Sequence, residues 1–500
     1  MKILFVNAPW FSEDSIGIRA GSRWAHMRKI KSQLKYVPFP FMMAYSAAVL
    51  EQNNIKVGML DTLAEEINET NFLEKVENFS PDLVVMECST PSIDIDYYNA
   101  EKVKEVTDSK IAFVGNHVSA LPKEVLKNNS VDLGLIGEYD YTLRDLALNF
   151  SDEKKYSEVL GLAYKENNNV HVNKRRPLIM NLDELPLPAR HLFKMEKYNE
   201  TFCEHFPNVQ VLTSRGCPFN CIFCLEPWVV YGQSYRARSV SSVIEEMRML
   251  IKQYKPKEIY FDDSTFTVNE KRTMELCNEV IENDFDIPWS CMTTASCIRS
   301  KELLKKMSDA GCERIKIGLE SADENVLKTI GKPYDLEHVK RALRWAKECN
   351  VGVHLTFMVG LPGETKETIR NTMKYIQTLA KEGLVFSIQT SFAIPFPGTK
   401  FYDMALKNNW ITDKNWSKYD GSRSSIISYP QLSSKEIANL KNEIDRAWSH
   451  TPAPAPLLIK KIRRLINQRG LVIGSWISCK RATDYVYHRV FRHKKLSNNK

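Results

Sequence analysis

The segment Ser214-Arg-Gly-Cys217-Pro-Phe-Asn-Cys221-Ile-Phe-Cys224 decides the fold class of this chain, and it follows the apolar run 209–213, a predicted β-strand. Its cysteines, spaced Cys-x3-Cys-x2-Cys, supply three soft thiolates on one loop. Such a set can hold three irons of a [4Fe–4S] cluster, and one iron stays open because no fourth cysteine stands nearby. A zinc knuckle is the alternative, but it usually needs four protein ligands.

The chain that follows this segment alternates strand-like and helix-like patterns. The predicted strands are 209–213, 257–262, 289–294, 313–319, 351–359 and 385–393. Apolar residues recur at helical spacing between them, as in Val243, Met247, Leu250 and Tyr254. Six such units predict a partial (β/α)6 barrel, whose chemistry belongs at the carboxyl ends of its strands.

The chain that precedes the segment predicts a separate domain. Apolar runs at 2–7, 56–60, 82–88, 111–116 and 133–137 alternate with helical patterns, which is the rhythm of a doubly wound α/β sheet. Ligands of such sheets bind at the carboxyl ends of the strands. The sequence places Asn7-Ala8-Pro9, Ser89-Thr90-Pro91, Gly115-Asn116-His117 and Gly137-Glu138 there.

These patterns divide the chain into four parts. We expect a doubly wound domain over 1–150, a linker over 151–200, the partial barrel over 201–428, and a small basic, mainly helical region over 429–500. Prolines 186 and 188 favour an extended linker.

Composition limits the class of protein. The 500 residues are 43% hydrophobic and 26% charged, which predicts two or three packed domains. No apolar run reaches the length of a membrane span and no secretory signal opens the chain, so we expect a cytoplasmic protein. The net charge of +8 belongs to the end of the chain: residues 451–500 carry +11, which leaves about −3 for the rest. A basic pI therefore does not indicate nucleic-acid binding, and no nucleic-acid partner is expected.

The barrel segment resembles the radical S-adenosylmethionine (SAM) enzymes over about residues 201–400. Besides the three cysteines, the resemblance rests on Tyr260-Phe-Asp262-Asp263, Gly318-Leu-Glu320-Ser, Gly360-Leu-Pro-Gly-Glu364 and Ile394-Pro395-Phe-Pro-Gly-Thr399. It implies that Cys217, Cys221 and Cys224 ligate a [4Fe–4S] cluster, that SAM chelates the open iron, and that its cleavage yields a 5′-deoxyadenosyl radical. The residues expected to contact these cofactors are Phe223, Asp262, Asp263, Glu320, Gly360 and Pro395.

The first domain resembles the cobalamin-binding domains fused to many radical SAM enzymes. The matching pieces are the Ser89-Thr90 loop, the Gly115-Asn116 loop and Gly137-Glu138, and Leu185–Arg190 resembles the family's linker. The resemblance implies that these loops approach the corrin amides and the nucleotide tail. Asn116 stands where relatives commonly have a second glycine. The Asp-x-His-x-x-Gly motif is absent, so we expect no histidine on the lower face of cobalt.

Together the resemblances imply methylation of an unactivated carbon, with cobalamin as methyl carrier. The alternative within the family is a cobalamin-dependent radical oxidation, cyclisation or rearrangement. A tRNA methylthiotransferase is the alternative of another class, but those relatives hold a second cluster with three N-terminal cysteines, and residues 1–200 contain only Cys88. The expected partners are a small-molecule or lipid-linked substrate and an external one-electron reductant of the flavodoxin or ferredoxin type.

Two further features carry open alternatives. Residues 457–495 include Leu458, Ile462 and Leu465 at helical spacing among basic residues, which predicts peripheral contact with the inner face of the membrane or packing on the barrel. In the early segment, Arg19, Arg23 and Arg28 are candidates to neutralise an acidic substrate, or they form a solvated face.

Overall fold

The computed structural model describes residues 1–30, 35–167, 169–332 and 334–451. Among these residues, no helix is both long and apolar enough to cross a membrane. The basic segment 457–495 lies outside the described ranges, so its predicted amphipathic helix stays a prediction.

A twisted sheet forms the first domain, in the order β4-β1-β5-β6-β7-β8-β9. Strands β4, β1, β5, β6 and β7 are parallel. The apolar runs of β1, β5, β6 and β7 are buried on both faces, as expected when helices cover a sheet on two sides. The strands of this domain, with a separate β2–β3 hairpin, are β1 (Lys2–Asn7), β2 (Ser15–Ile18), β3 (His26–Lys29), β4 (Lys56–Asp61), β5 (Leu83–Glu87), β6 (Lys110–Val114), β7 (Leu133–Leu135), β8 (Leu162–Glu166) and β9 (Asn169–Val172).

Helices pack on both faces of this sheet around two apolar cores. They are α1 (Phe41–Gln52), α2 (Thr62–Glu65), α3 (Glu69–Phe79), α4 (Ile93–Val106), α5 (Asn116–Ala120), α6 (Pro122–Val125) and α7 (Asp140–Leu148). The doubly wound prediction is therefore confirmed.

The predicted linker 151–200 is too long. Strands β8 and β9 pair antiparallel with β7 and with each other, and they extend the first sheet. The polar composition of this stretch suggested a connector, but β9 is an edge strand with mostly exposed side chains, so it needs little apolar character. The connection to the barrel begins after Val172.

The second sheet is parallel throughout, in the order β10-β13-β14-β15-β16-β17. This is the predicted partial barrel. Its strands, with the small β11–β12 hairpin, are β10 (Asn208–Val211), β11 (Ser214–Arg215), β12 (Arg236–Ala237), β13 (Glu258–Phe261), β14 (Trp289–Thr293), β15 (Cys312–Glu320), β16 (Gly352–Val359) and β17 (Ser387–Phe392).

Helices cover the outer face of the barrel, where their apolar stripes pack on the strands. They are α8 (Val240–Tyr254), α9 (Glu270–Glu282), α10 (Lys301–Asp309), α11 (Glu324–Thr329), α12 (Leu336–Glu348), α13 (Lys366–Lys381), α14 (Lys400–Lys407) and α15 (Ser434–His450).

The C-terminal boundary predicted at residue 429 also needs correction. Helix α15 buries Ile437, Leu440 and Ile444 in the barrel core, and it lies against α13 and β17. The barrel unit therefore extends at least to His450, because this helix supplies apolar cover that the open sheet would otherwise lack.

Candidate active site

The cysteine loop begins in a small hairpin at the carboxyl end of β10. Its first residues are held by Asp263, whose carboxylate accepts hydrogen bonds from the backbone N–H of Thr213 (2.7 Å) and Ser214 (3.2 Å) and from both hydroxyls (2.6 Å each). Asp263 is fully buried. Both of its oxygens accept hydrogen bonds from this loop, so Asp263 positions the loop, and its predicted contact with a cofactor stays a prediction.

The three cysteine thiols are half-buried neighbours. Burial raises the pKa of all three, that of Cys217 to about 11, and the charges of the other cysteines raise the pKa of Cys217 and Cys224 further. Within the described ranges, no group of three or more His, Cys, Asp or Glu side chains is arranged as a closed metal-ion site. The fit to an iron–sulfur cluster therefore rests on the donor set: three thiols on one loop, with soft iron as their natural partner.

A lysine that the sequence analysis missed lies beside this loop. The Lys332 ammonium donates a hydrogen bond to Glu320 Oε1 (2.8 Å), and its charge lowers the pKa of the Cys221 thiol against the larger effect of burial. Glu320 itself has a positive φ of 69° at a bulge between β15 and β16, which turns the end of the strand toward this lysine. Lys332 follows Gly331 in a turn after α11, and only the tertiary structure brings it near Cys221.

An arginine of the first domain reaches into the mouth of the barrel. Arg23 lies in the β2–β3 connection and forms ion pairs with Glu226 (2.9 Å) and Asp262 (3.1 Å). It also donates to the backbone oxygens of Asp262 and Asp263. Burial raises the pKa of Asp262 to about 7, and the charge of Arg23 opposes that rise. Arg23 is therefore neither on a solvated face nor free for an acidic substrate.

A cavity that opens to solvent lies between the two domains, with about 870 Å³ of empty space when its open side is included. Its walls combine strand ends of the first domain with loops at the mouth of the barrel. They include Glu87, Gly115, Asn116, Ser119, Gly137, Tyr139, Arg23, Leu225, Glu226, Tyr231 and Asp262.

Two glycines shape the first-domain wall of this cavity. Gly115 and Gly137 have φ values of +108° and +71°, a region that favours glycine. A Cβ on Gly115 would lie 2.5 Å from the carbonyl oxygen of Cys88. The Ser119 hydroxyl links the two loops, since it donates to Gly115 O (2.7 Å) and accepts from Gly137 N–H (3.0 Å). The wall is thus a surface of backbone that a flat ligand can approach closely.

Comparisons with known proteins agree with this two-part site. The B12 binding domain family model matches residues 27–147, and the model of the radical SAM superfamily matches residues 211–376. An uncharacterised methyltransferase of Pyrococcus horikoshii is 32% identical over 404 residues, which are 80% of this chain and 85% of that protein. The chain is a cobalamin-binding radical SAM enzyme.

Two further similarities mark the range of the family. The anaerobic magnesium-protoporphyrin IX monomethyl ester cyclase of Rubrivivax gelatinosus is 28% identical over 67% of this chain and 61% of its own length. The solved structure of the radical SAM methyltransferase TsrM from Kitasatospora setae superimposes with a TM-score of 0.66 at 16% identity, covering 91% of this chain and 89% of that one. At that identity the structural likeness shows the fold alone.

The predicted family, fold class, enzyme class and cofactor classes of this cobalamin-binding radical SAM enzyme are thereby confirmed. The individual residues need closer inspection. The cavity is lined by Gly115, Asn116, Gly137 and Asp262. Glu320 binds Lys332, and the charges of both residues affect the pKa of the Cys221 thiol.

Other predicted cofactor contacts already have partners inside the protein. Ser89 Oγ pairs with Ser92 Oγ (2.6 Å), and Thr90 Oγ1 pairs with His117 Nδ1 (3.1 Å). The ring of His117 packs edge-on against Trp416, and burial lowers the pKa of this histidine to about 4, so it is neutral. The Ser89-Thr90 loop is therefore a supporting element of the first domain.

Glu138 joins the two domains of the enzyme. Its buried carboxylate accepts from Arg236 (2.7 Å) and Arg215 (3.2 Å), and Asp140 accepts from Arg215 at 2.8 Å. Arg215 lies two residues before Cys217. The acidic pair that follows β7 thus anchors the start of the cysteine loop to the first domain, and the predicted cofactor contact of Glu138 stays a prediction. The sequence signal was the acid Glu138 at a strand end, which we assigned to the cofactor.

The remaining predicted residues lie at the carboxyl ends of the barrel strands or in its cluster loop. Gly360 donates its N–H to Glu364 Oε2 (2.7 Å) and accepts from the Tyr429 hydroxyl (2.8 Å). Pro395 is buried after β17, and Phe223 is half-buried against the barrel core.

Proposed function

We propose that the enzyme methylates an unactivated carbon of a small-molecule substrate, with cobalamin as the methyl carrier. The observation that carries this proposal is the cavity shared by the two domains. It has the glycine loops of the B12-binding domain on one side and the residues that follow the cluster loop on the other. Such a shared cavity would keep two cofactors and a substrate in reach of one another.

When bound, the cluster and SAM would supply a 5′-deoxyadenosyl radical, and cobalamin would supply the methyl group. The protein supplies the positions. Cys217, Cys221 and Cys224 would hold the cluster, and Lys332 favours the thiolate of Cys221 because it places an ammonium beside that thiol.

Carboxylates at the mouth of the barrel suit the cationic and hydroxyl groups of SAM. Asp262 and Glu320 each have one positively charged partner, Arg23 and Lys332, which keeps the carboxylates in place. Gly360, Pro395 and Phe223 lie around the same edge and complete the proposed SAM site.

On the opposite wall, Gly115, Asn116 and Gly137 would form the surface on which the corrin rests. The positive φ of both glycines and the carbonyl oxygen next to Gly115 leave no room for side chains there. The match of the B12 binding domain model to residues 27–147 supports cobalamin as the ligand of this backbone surface.

The proposal also includes the partners. A one-electron donor of the flavodoxin or ferredoxin type would reduce the cluster, and the basic segment 457–495 would hold the enzyme at the inner face of the membrane if its substrate is lipid-linked. Sedimentation with anionic liposomes tests the membrane contact. We expect the full chain to sediment with the liposomes at low salt and to be released at high salt.

Incubation with SAM labelled in its methyl group tests the reaction. The substrate is supplied as fractions of a cell extract. We expect the methyl label to appear in a product of one fraction, and 5′-deoxyadenosine to form in the same reaction. The named function of the cyclase relative favours the alternative, a radical ring closure or oxidation. In that case 5′-deoxyadenosine would form and the product would carry no label.

A further inference from the structure

One acidic side chain in the cavity has not been assigned a role. Glu87 ends β5, which lies near the middle of the parallel part of the first sheet, and its side chain lines the cavity. Its Oε1 would lie only 2.7 Å from a Cβ on Gly115, so the carboxylate lies directly against the glycine surface. Within the part of the chain that the structure describes, no hydrogen bond to this carboxylate is present.

A second polar group of the same cavity also lacks a partner. Tyr139 follows Gly137 by two residues and is almost fully buried, and its hydroxyl makes no hydrogen bond among the described residues. The charge of Glu87 is the strongest charge effect on the pKa of Tyr139. Buried polar groups are nearly always hydrogen-bonded, because an unpaired one loses its interaction with water. The Tyr139 hydroxyl is such a group, and the half-buried Glu87 carboxylate lies on the same wall without a hydrogen bond, so a ligand in the cavity can complete both.

The charged groups around Glu87 do not neutralise it. Arg19 is the nearby cation, but it forms a buried ion pair with Asp96, and Asp96 adds a second negative charge. Cys88, next in the chain, is a buried neutral thiol. Burial raises the pKa of Glu87 to about 7, and Arg19 only partly opposes that rise. An approaching positive centre would stabilise the carboxylate.

We propose that Glu87 is the side chain that faces the cobalt ion from the sheet, with the Tyr139 hydroxyl beside it. This inference rests on the proposed binding of cobalamin. It goes further because it assigns to one residue an effect on the oxidation state of the cobalt. A carboxylate near the cobalt favours its more positive oxidation states, because the negative charge stabilises positive charge at short range in a poorly hydrated cavity. The charge of Glu87 would then lower the reduction potential of the bound cofactor.

The test is a spectroelectrochemical titration of the full-length protein, purified anaerobically and saturated with hydroxocobalamin, at a pH above the raised pKa of Glu87. We expect Glu87→Gln to make the reduction of Co(II) to Co(I) at least tenfold more favourable, a shift of about 59 mV toward positive potential. Glu87→Ala removes the same charge and must shift the potential in the same direction, so either variant serves if the other fails to fold. Tyr139→Phe keeps the charge and should shift it less.

The matched control is Glu77→Gln, the same change at an exposed position of α3, which should leave the potential unchanged. Potentials of Glu87→Gln and Glu87→Ala equal to that of the parent protein would overturn the role of Glu87, even if cobalamin binds more weakly. A parent protein that takes up no cobalamin would instead reject the proposed function itself.

Discussion

The two walls of the cavity are built on different principles. On the barrel side, charged side chains occur in satisfied pairs, such as Arg23 with Asp262 and Lys332 with Glu320. On the side of the first domain, the wall includes the two glycine loops, and two of its polar side chains, Glu87 and Tyr139, make no hydrogen bonds among the described residues. The difference suggests that the barrel wall is organised before its cofactors bind, whereas the other wall is completed by its ligand.

The largest effect should come from the cluster loop. Changing Cys217, Cys221 and Cys224 together to Ala removes all three protein ligands, so we expect loss of the broad iron–sulfur absorbance and of SAM cleavage. Cobalamin binding should persist, because the glycine wall is on the other domain. Ultraviolet–visible spectra and chromatography of 5′-deoxyadenosine measure both properties.

Cys349→Ala is the control for this change, since Cys349 is a mostly buried thiol that follows α12. A four-iron cluster retained by the triple variant would show that the loop is not its site. Loss of cobalamin together with the cluster would show that the two walls do not act independently.

A smaller effect is expected from the glycine wall. In Gly115→Ala, the new methyl group would lie 2.5 Å from Cys88 O and 2.7 Å from Glu87 Oε1. We expect cobalamin affinity to fall at least tenfold, or about 1.4 kcal/mol, while the iron–sulfur absorbance stays that of the parent protein. Equilibrium dialysis with hydroxocobalamin measures the affinity.

Gly421→Ala separates this steric effect from backbone strain. Gly421 also has a positive φ, 67°, but a Cβ there would meet its neighbours at an ordinary 3.5 Å. Gly421→Ala should lose about 1 to 2 kcal/mol of folding stability from backbone strain alone, and Gly115→Ala should lose more, because its Cβ also meets a backbone oxygen. An equal loss of cobalamin affinity in both would contradict the assignment of Gly115 to the corrin surface.

The difference between the walls also explains what could be predicted from sequence. The cluster loop carries its chemistry in three cysteines within eight residues, so the spacing alone indicated the site. The cofactor wall draws on Glu87, Gly115 and Tyr139 from three separate strand ends. Their common signal was weak. An acid that ends the otherwise apolar strand Leu83–Glu87 is unusual, and this could have indicated Glu87.

Charge pairing inside the protein could not be predicted from the sequence. Glu138 and Asp263 stand at strand ends, where ligands bind, but their buried carboxylates hold Arg215, Arg236 and the start of the cysteine loop. A sequence shows that a carboxylate is at the correct edge of a sheet. It does not show whether a distant arginine or an adjacent backbone has already occupied it.

The smallest predicted effect concerns Lys332. In Lys332→Gln the ammonium beside Cys221 is lost, so the pKa of this thiol, already raised by burial, should rise further. Alkylation of Cys221 by iodoacetamide in the cluster-free protein, followed by mass spectrometry across pH, should therefore move to higher pH and slow several-fold near neutrality. Lys332→Arg keeps the charge and should behave like the parent protein, and Lys340→Gln, which breaks an ion pair with Glu382 elsewhere on the barrel, should not affect Cys221. If Lys332→Gln left the alkylation profile of Cys221 unchanged, the lysine would serve only to hold Glu320, and the barrel wall would not prepare its thiolates electrostatically for the cluster.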